Sequence, residues 1–169
     1  KLPNDEMLIA FYTHQEFVRA KQMQQLPVWN ELLDQTTSIN NGIQESNAID
    51  AKIKGFAVKS YCLNKIVGES WLAIGDAASS YDPITSRGIY KSITDAKFAA
   101  EIIVDKMKNN IDRLGEFELY IQRNYLNYLE ERSHYYTIEQ RWNTSPFWSE
   151  FHQLESPLQK KKARLEAVN

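Results

Sequence analysis

The sequence has no closely spaced glycines. Its six, Gly42, Gly55, Gly68, Gly75, Gly88 and Gly115, never stand nearer than seven positions apart. A G-x-G-x-x-G dinucleotide loop needs two glycines at a spacing of two, so the chain holds no such loop. It also holds no phosphate loop ending in Gly-Lys-Ser/Thr. The single cysteine, Cys62, excludes an internal disulfide and a cysteine-rich zinc site. His14, His134 and His152 lie far apart with no metal-ligand spacing, so packing or surface roles are expected and no metal site is assigned. No apolar run reaches the roughly 18 residues of a membrane span, and no signal peptide opens the chain. Charge of either sign is not in excess: 20 Lys plus Arg face 22 Asp plus Glu, a net −2, unlike a general nucleic-acid binder. What remains is a chain of 169 residues, 43% hydrophobic and 12% aromatic, able to bury a core. A cytoplasmic setting without membrane or nucleic acid is the expectation. The opening Lys1-Leu2-Pro3-Asn4-Asp5 is unlike a natural start, so the chain is expected to be a piece of something longer.

Hydrophobic periodicity gives the coarse layout. Met7 to Thr13 suits a short strand. His14 to Gln25 suits an amphipathic helix, Val28 to Leu33 a second helix, and Thr36 to Asn47 a partly looped segment. An irregular strand is expected across Ala51 to Leu63. Trp71-Leu72-Ala73-Ile74, between Gly68 and Gly75, reads as a strand buried on both faces. A long helix follows from near Gly88 to Asn109-Asn110. Its apolar stripe, Ile89, Ile93, Ala96, Ala100, Ile103 and Met107, is expected to face the core, with Lys91, Asp95, Glu101 and Asp105 off it. With Asp112 as a cap, a second long helix is expected over Glu116 to Arg141, burying Phe117, Ile121, Tyr125, Tyr128, Tyr135 and Trp142. Ser145-Pro146 and Ser156-Pro157 each open a short helix, the last carrying Lys160-Lys161-Lys162 as a solvated face.

One stretch stands apart, Trp71 to Ile89. A strand ending in Gly75-Asp76-Ala77-Ala78 puts a carboxylate where open α/β sheets bind ligands. The small residues let a partner approach the backbone, and Asp76 can accept hydrogen bonds from the hydroxyls of a ribityl or ribose chain. Gly88 opens a helix whose first amides are unpaired and positively polarised, suited to an anion or an electron-rich carbonyl. Read from residues alone, the same stretch also suits ordinary turn chemistry, with Asp76 and Asp82-Pro83 serving only local backbone.

The stretch resembles the second FAD-binding motif of the glutathione-reductase-type flavoproteins, especially the aromatic-ring monooxygenases and flavin-dependent tryptophan halogenases. The pattern Trp-Leu-Ala-x-Gly-Asp-Ala-Ala, Asp-Pro-x-x-Ser-x-Gly-Ile is matched at Trp71, Leu72, Ala73, Gly75, Asp76, Ala77, Ala78, Asp82, Pro83, Ser86, Gly88 and Ile89. The resemblance implies a mixed α/β, mostly helical chain forming part of an FAD/NAD(P)-binding fold. Residues 1–63 would belong to a substrate domain, 64–110 to the FAD-binding domain and 111–169 to a helical tail. It implies FAD as cofactor, with Asp76 on the ribityl chain and the backbone of Ala77 and Ala78 near the phosphates. Pro83 would lie beside the isoalloxazine ring, and the amides around Gly88 and Ile89 would face its pyrimidine edge. Gly75 and Ser86 complete the cofactor-binding set. The loop that holds the ADP moiety lies upstream in that family. The partner implied is therefore an N-terminal FAD-binding half of the same protein, and the chain alone is expected to bind FAD weakly or not at all.

The reaction implied is flavin-dependent oxidation, hydroxylation or halogenation of a small organic or peptide-bound substrate, with no catalytic residue assigned. Two rivals are a non-enzymatic partner-binding module on a flavoprotein scaffold and a maturation factor acting on a partner polypeptide. Arg87 falls where the pattern is open and is either a partner for a phosphate or substrate acid, or a solvated side chain. Cys62 reads as a small packed residue, and the tyrosines from Tyr120 to Tyr136 as helix packing.

Overall fold

A computed structural model describes residues 7–44 and 52–152. The elements run α1 (Gln15–Ala20), α2 (Leu26–Asp34), α3 (Ser38–Gln44), β1 (Tyr61–Cys62), a 3-10 turn (Gly75–Ala77), β2 (Ser79–Ser80), a second 3-10 turn (Pro83–Thr85), α4 (Gly88–Asn109), α5 (Leu114–Ile138) and α6 (Pro146–His152). The described chain is mostly helical, with one two-stranded antiparallel sheet that pairs Tyr61 with Ser80 and Cys62 with Ser79. That is consistent with a mixed α/β class. The chain divides into two compact units after Ala57.

In the first unit α1 is shorter than the expected helix, because residues 21–25 turn. Gln22 there takes a positive φ of 52°. α2 starts two residues earlier than expected, with Pro27 in its first turn, where a missing amide costs nothing. Met23 is buried, and its carbonyl accepts the Trp29 indole N–H at 2.7 Å. Residues 7–13 form no strand: Leu8, Phe11 and Tyr12 are exposed, and Phe11 packs its ring on Phe17 and Trp29. The periodicity identified an apolar segment, but no described strand lies alongside to pair with it.

The second unit is built on α4 and α5. Its core gathers Ile66, Ala78, Ala99, Ile102, Phe117 and Ile121, with Phe98, Leu72 and Tyr120 packed around them. A smaller cluster of Tyr125, Tyr128 and Leu129 lies further along α5 against Tyr81. Helix α4 ends where expected. Asn110 takes the left-handed conformation (φ 53°, ψ 34°) that asparagine tolerates, and Lys106 and Lys108 occupy the last turn, favourable to the dipole. The Asp112 carboxylate accepts the Leu114 amide at 3.0 Å at the start of α5, although Arg113 is the capping position.

Three expectations are corrected. Of the Ala51–Leu63 segment, the described part has only Tyr61–Cys62 as strand. Trp71–Ile74 is not a buried strand: one isolated bridge joins Val67 to Leu72, Trp71 is half exposed, and Ile74 is exposed. Burial on both faces needs neighbouring strands, and the described residues supply none there. The Trp71 indole instead packs on Gly68, where a Cβ would meet its Nε1 at 2.2 Å. On the helices the buried faces differ from the apolar stripes. In α4, Ile89 (80% exposed), Ile93 (65%) and Met107 (81%) face outward, while Lys91, Asp95, Ala99 and Ile102 are buried. In α5 the buried phase runs through Tyr136, leaving Tyr135 and, beyond the helix, Trp142 exposed. The charged helix expected at Ser156-Pro157, with Lys160 to Lys162, lies outside the described residues.

Candidate functional site

The Gly75–Ala77 turn is where the chain leaves an extended residue, Ile74, and bends under α4. Gly75 sits at φ +57°, and a Cβ there would meet Ser92 Oγ at 2.7 Å. Both the conformation and the space require glycine. Gly75→Ala is therefore expected to destabilise the fold by about 1–3 kcal/mol, read as a lower urea midpoint at unchanged slope. Adding Ser92→Ala would remove the 2.7 Å contact, keep one at 3.3 Å to the Cβ of residue 92, and leave the conformational part.

The peptide groups of Gly75 are tied to α4 on both sides. Its amide donates to Asp95 Oδ2 at 3.1 Å, and its carbonyl accepts Lys91 Nζ at 2.8 Å. Lys91 and Asp95 pair with each other at 2.7 Å, with side chains only 7% and 1% exposed. Beyond Gly75 the carbonyl of Asp76 accepts the Tyr61 hydroxyl at 2.6 Å, while the Asp76 residue itself is exposed. Ala78 is fully buried in the core.

The other end of the segment is held by α5. The Asp82 amide donates to Tyr128 Oη at 2.8 Å, and its carboxylate accepts the Tyr136 hydroxyl at 2.8 Å with Arg132 Nε 3.5 Å away. Tyr128 shares a 2.6 Å hydrogen bond with Ser60 and stacks on Tyr81 at 4.1 Å, nearly parallel. Ser86 takes φ 53° at the exit of the second 3-10 turn, and Arg87, the capping position of α4, ion-pairs with Glu131. Arg87 is exposed and its side chain half open to solvent, as the solvated reading expected, with Glu131 of α5 as its surface partner.

An open groove of about 490 Å³ runs along the start of α4, lined by Asp76, Gly88, Ile89, Ser92, Ile93 and Ala96. Of the eight candidate residues, Asp76, Gly88 and Ile89 line it. Gly75 lies buried behind Ser92, while Ala77, Ala78, Pro83 and Ser86 are not among its walls. Its lining residues bring an acidic residue, Asp76, together with the first turn of α4, whose amides lack intrahelical acceptors, and the aliphatic Ile89, Ile93 and Ala96. Among the described residues, a Cβ at Gly88 would have no neighbour within 4 Å. Such a donor and acceptor set fits hydroxyls and a polar ring edge, which is part of a flavin nucleotide rather than the whole.

Burial pushes the phenols behind the segment upward. Tyr125 rises from 10.0 to about 12, chiefly through loss of solvent. Tyr81, Tyr128 and Tyr136 also rise, each chiefly by burial, and for Tyr136 the hydrogen bond to Asp82 adds to it. Unfolded tyrosines lose their protons near 10 while these keep theirs, so alkali favours the unfolded chain. Stability is expected to be full below pH about 10 and to fall between there and about 12, checked by denaturation curves alongside phenolate absorbance.

No protein-family model matches the chain, and no solved structure matches it. Two curated proteins do. An FAD-dependent oxidoreductase, LodB, of Marinomonas mediterranea is 26% identical over 152 residues, covering 89% of this chain and 40% of that protein. A 1H-pyrrole-2-carbonyl peptidyl-carrier-protein chlorinase of Pseudomonas fluorescens is 33% identical over 82 residues, covering 47% of this chain and 18% of its own. These relatives support a flavoprotein family. The chain spans two-fifths of LodB and less of the chlorinase.

Sequence reasoning did not single out Lys91, Asp95, Tyr61 or Tyr128 at this site. Lys91 and Asp95 carry opposite charges four apart on a helix, a signal for pairing. That signal does not distinguish a buried pair from a surface one.

Proposed function

We propose that the chain supplies the Gly-Asp flavin-seating part of an FAD-dependent oxidoreductase of the monooxygenase or halogenase-like type. The observation that carries the reading is the groove in which Asp76, Gly88 and Ile89, all positions of the matched motif, meet at the start of α4. Asp76 would accept from ribityl hydroxyls, and the amides of Gly88 and Ile89 would donate to the flavin's pyrimidine edge. Bound flavin would supply the redox chemistry, and the protein its orientation and electrostatics. Residues 64–110 would then belong to the cofactor domain, flanked by substrate-domain and helical-tail portions. The outward stripe of Ile89, Ile93 and Met107 is an apolar face of the kind a folded neighbour covers. The neighbour proposed is the N-terminal FAD-binding half that would complete the protein.

The substrate class is a small organic molecule, free or carried on a polypeptide. The carried form gains support from the chlorinase, whose name places its substrate on a peptidyl carrier protein. Flavin fluorescence titration tests the reading. Protein expressed from the complete reading frame is expected to take up FAD stoichiometrically, and the 169-residue chain weakly or not at all. Failure of the former to bind would remove the flavin reading. A tight yellow complex of the latter would remove the need for a second half.

A further inference from the structure

We infer that Lys91 and Asp95 are positioning residues for the cofactor: together they hold the Gly75 peptide so that Asp76 is presented to the ligand. The inference rests on the flavin reading of the groove and names the element behind it that sets its geometry. The geometry is specific. One carboxylate oxygen, Asp95 Oδ2, accepts both the Gly75 amide at 3.1 Å and Lys91 Nζ at 2.7 Å. The same ammonium group donates to the Gly75 carbonyl at 2.8 Å, closing a ring of three hydrogen bonds around one residue. Lys91 Nζ also lies 5.3 Å from the centre of the Tyr81 ring, and the residue is buried.

A buried ion pair is a poor device for stability alone. Desolvating two charges offsets most of their attraction, and apolar residues of similar volume commonly serve the fold as well or better. What apolar residues cannot do is grip both the donor and the acceptor of a glycine at φ +57°. The Ala78 amide also reaches the Gly75 carbonyl, at 3.1 Å. But glycine has the widest conformational choice of any residue, so without the grip from α4 the turn would sample arrangements that carry Asp76 away from the groove. Ligand affinity then falls in proportion to the fraction of molecules holding the competent turn.

The decisive variants are Lys91→Met combined with Asp95→Leu, which restores an apolar interior, and Asp95→Asn, which keeps an oxygen for the Gly75 amide but removes the charge. Each is compared with wild type, all expressed from the complete reading frame. FAD affinity is measured by fluorescence, thermal stability without FAD by circular dichroism, and the Gly75 amide by its nitrogen–proton resonance. The double variant is expected to melt close to wild type, to shift the Gly75 resonance and to bind FAD about tenfold or more weakly. Asp95→Asn is expected to fall between the two in affinity. If both variants bind FAD as wild type does, whatever their melting temperatures, the positioning role is overturned and the pair is only structural. If wild type itself takes up no FAD, the flavin reading fails, and the inference with it. The two failures are distinguished by the wild-type titration.

Discussion

Replacing Asp76 with alanine is expected to weaken FAD binding by about 10- to 150-fold, the equivalent of about 1.5–3 kcal/mol for a hydrogen bond to a charged group. The residue is exposed and lines the groove from a turn whose shape is set by Gly75 and α4. Among the described residues its one hydrogen bond to the fold is from the Tyr61 hydroxyl to its backbone carbonyl. Its side chain can therefore be removed with a stability change within about 0.5 kcal/mol. That separation is the strength of the test: affinity should move while the melting temperature stays. Asp76→Asn, which keeps a neutral acceptor, should lose less. Unchanged affinity in the alanine variant of the complete protein would remove Asp76 from the cofactor site.

The largest stability effect is expected at Tyr128. Its side chain is fully buried, stacks on Tyr81, bonds Ser60 and receives the Asp82 amide. Tyr128→Ala is expected to cost about 3–5 kcal/mol, as large aromatic truncations in cores do, which is a large share of the total stability of a small domain. Tyr128→Phe keeps the stacking but strands the Asp82 amide, at about 1–3 kcal/mol. Tyr135→Ala, at an exposed position of the same helix, should stay within about 0.5 kcal/mol. Chemical denaturation of the three variants measures the difference, and equal losses at Tyr128 and Tyr135 would contradict the observed helix phase.

That phase shows where sequence reasoning reached its limit. The ends of α4 were legible because the information is local. Gly88 opens the helix, and Asn110 closes it in a conformation few other residues accept. The 3.6-residue period also located α5, and Ser145-Pro146 marked the start of α6. Which face is buried was not legible, because α4 is apolar on more than one side. The stripe through Ile89, Ile93 and Met107 is the more hydrophobic, yet α5 and the Gly75 turn pack on the side carrying Lys91, Asp95, Ala99 and Ile102. In α5, adjacent tyrosines at 135 and 136 made a one-residue error in phase invisible to composition. Trp71–Ile74 has the residues of a buried strand, but burial depends on neighbours that a short apolar run does not encode. Within the site, Asp76, Gly88 and Ile89 could be foreseen from the motif. The Lys91–Asp95 ring around Gly75 could not, since charge spacing says nothing about solvent.

The two anchors of the 75–88 segment also differ in how far along the chain their partners lie. The bonds from Gly75 to Lys91 and Asp95 reach 16 and 20 residues ahead, whereas Asp82 waits for Tyr128 and Tyr136, 46 and 54 residues on. Ser60 waits 68 residues for Tyr128. Short loops close at less entropic cost and sooner than long ones. On a ribosome, which delivers the chain from its amino end, the Gly75 turn can be shaped as soon as α4 has emerged, and the Asp82 end is secured only after most of α5 has followed. The Gly75 turn can thus be assembled first, and the aromatic backing closes behind it.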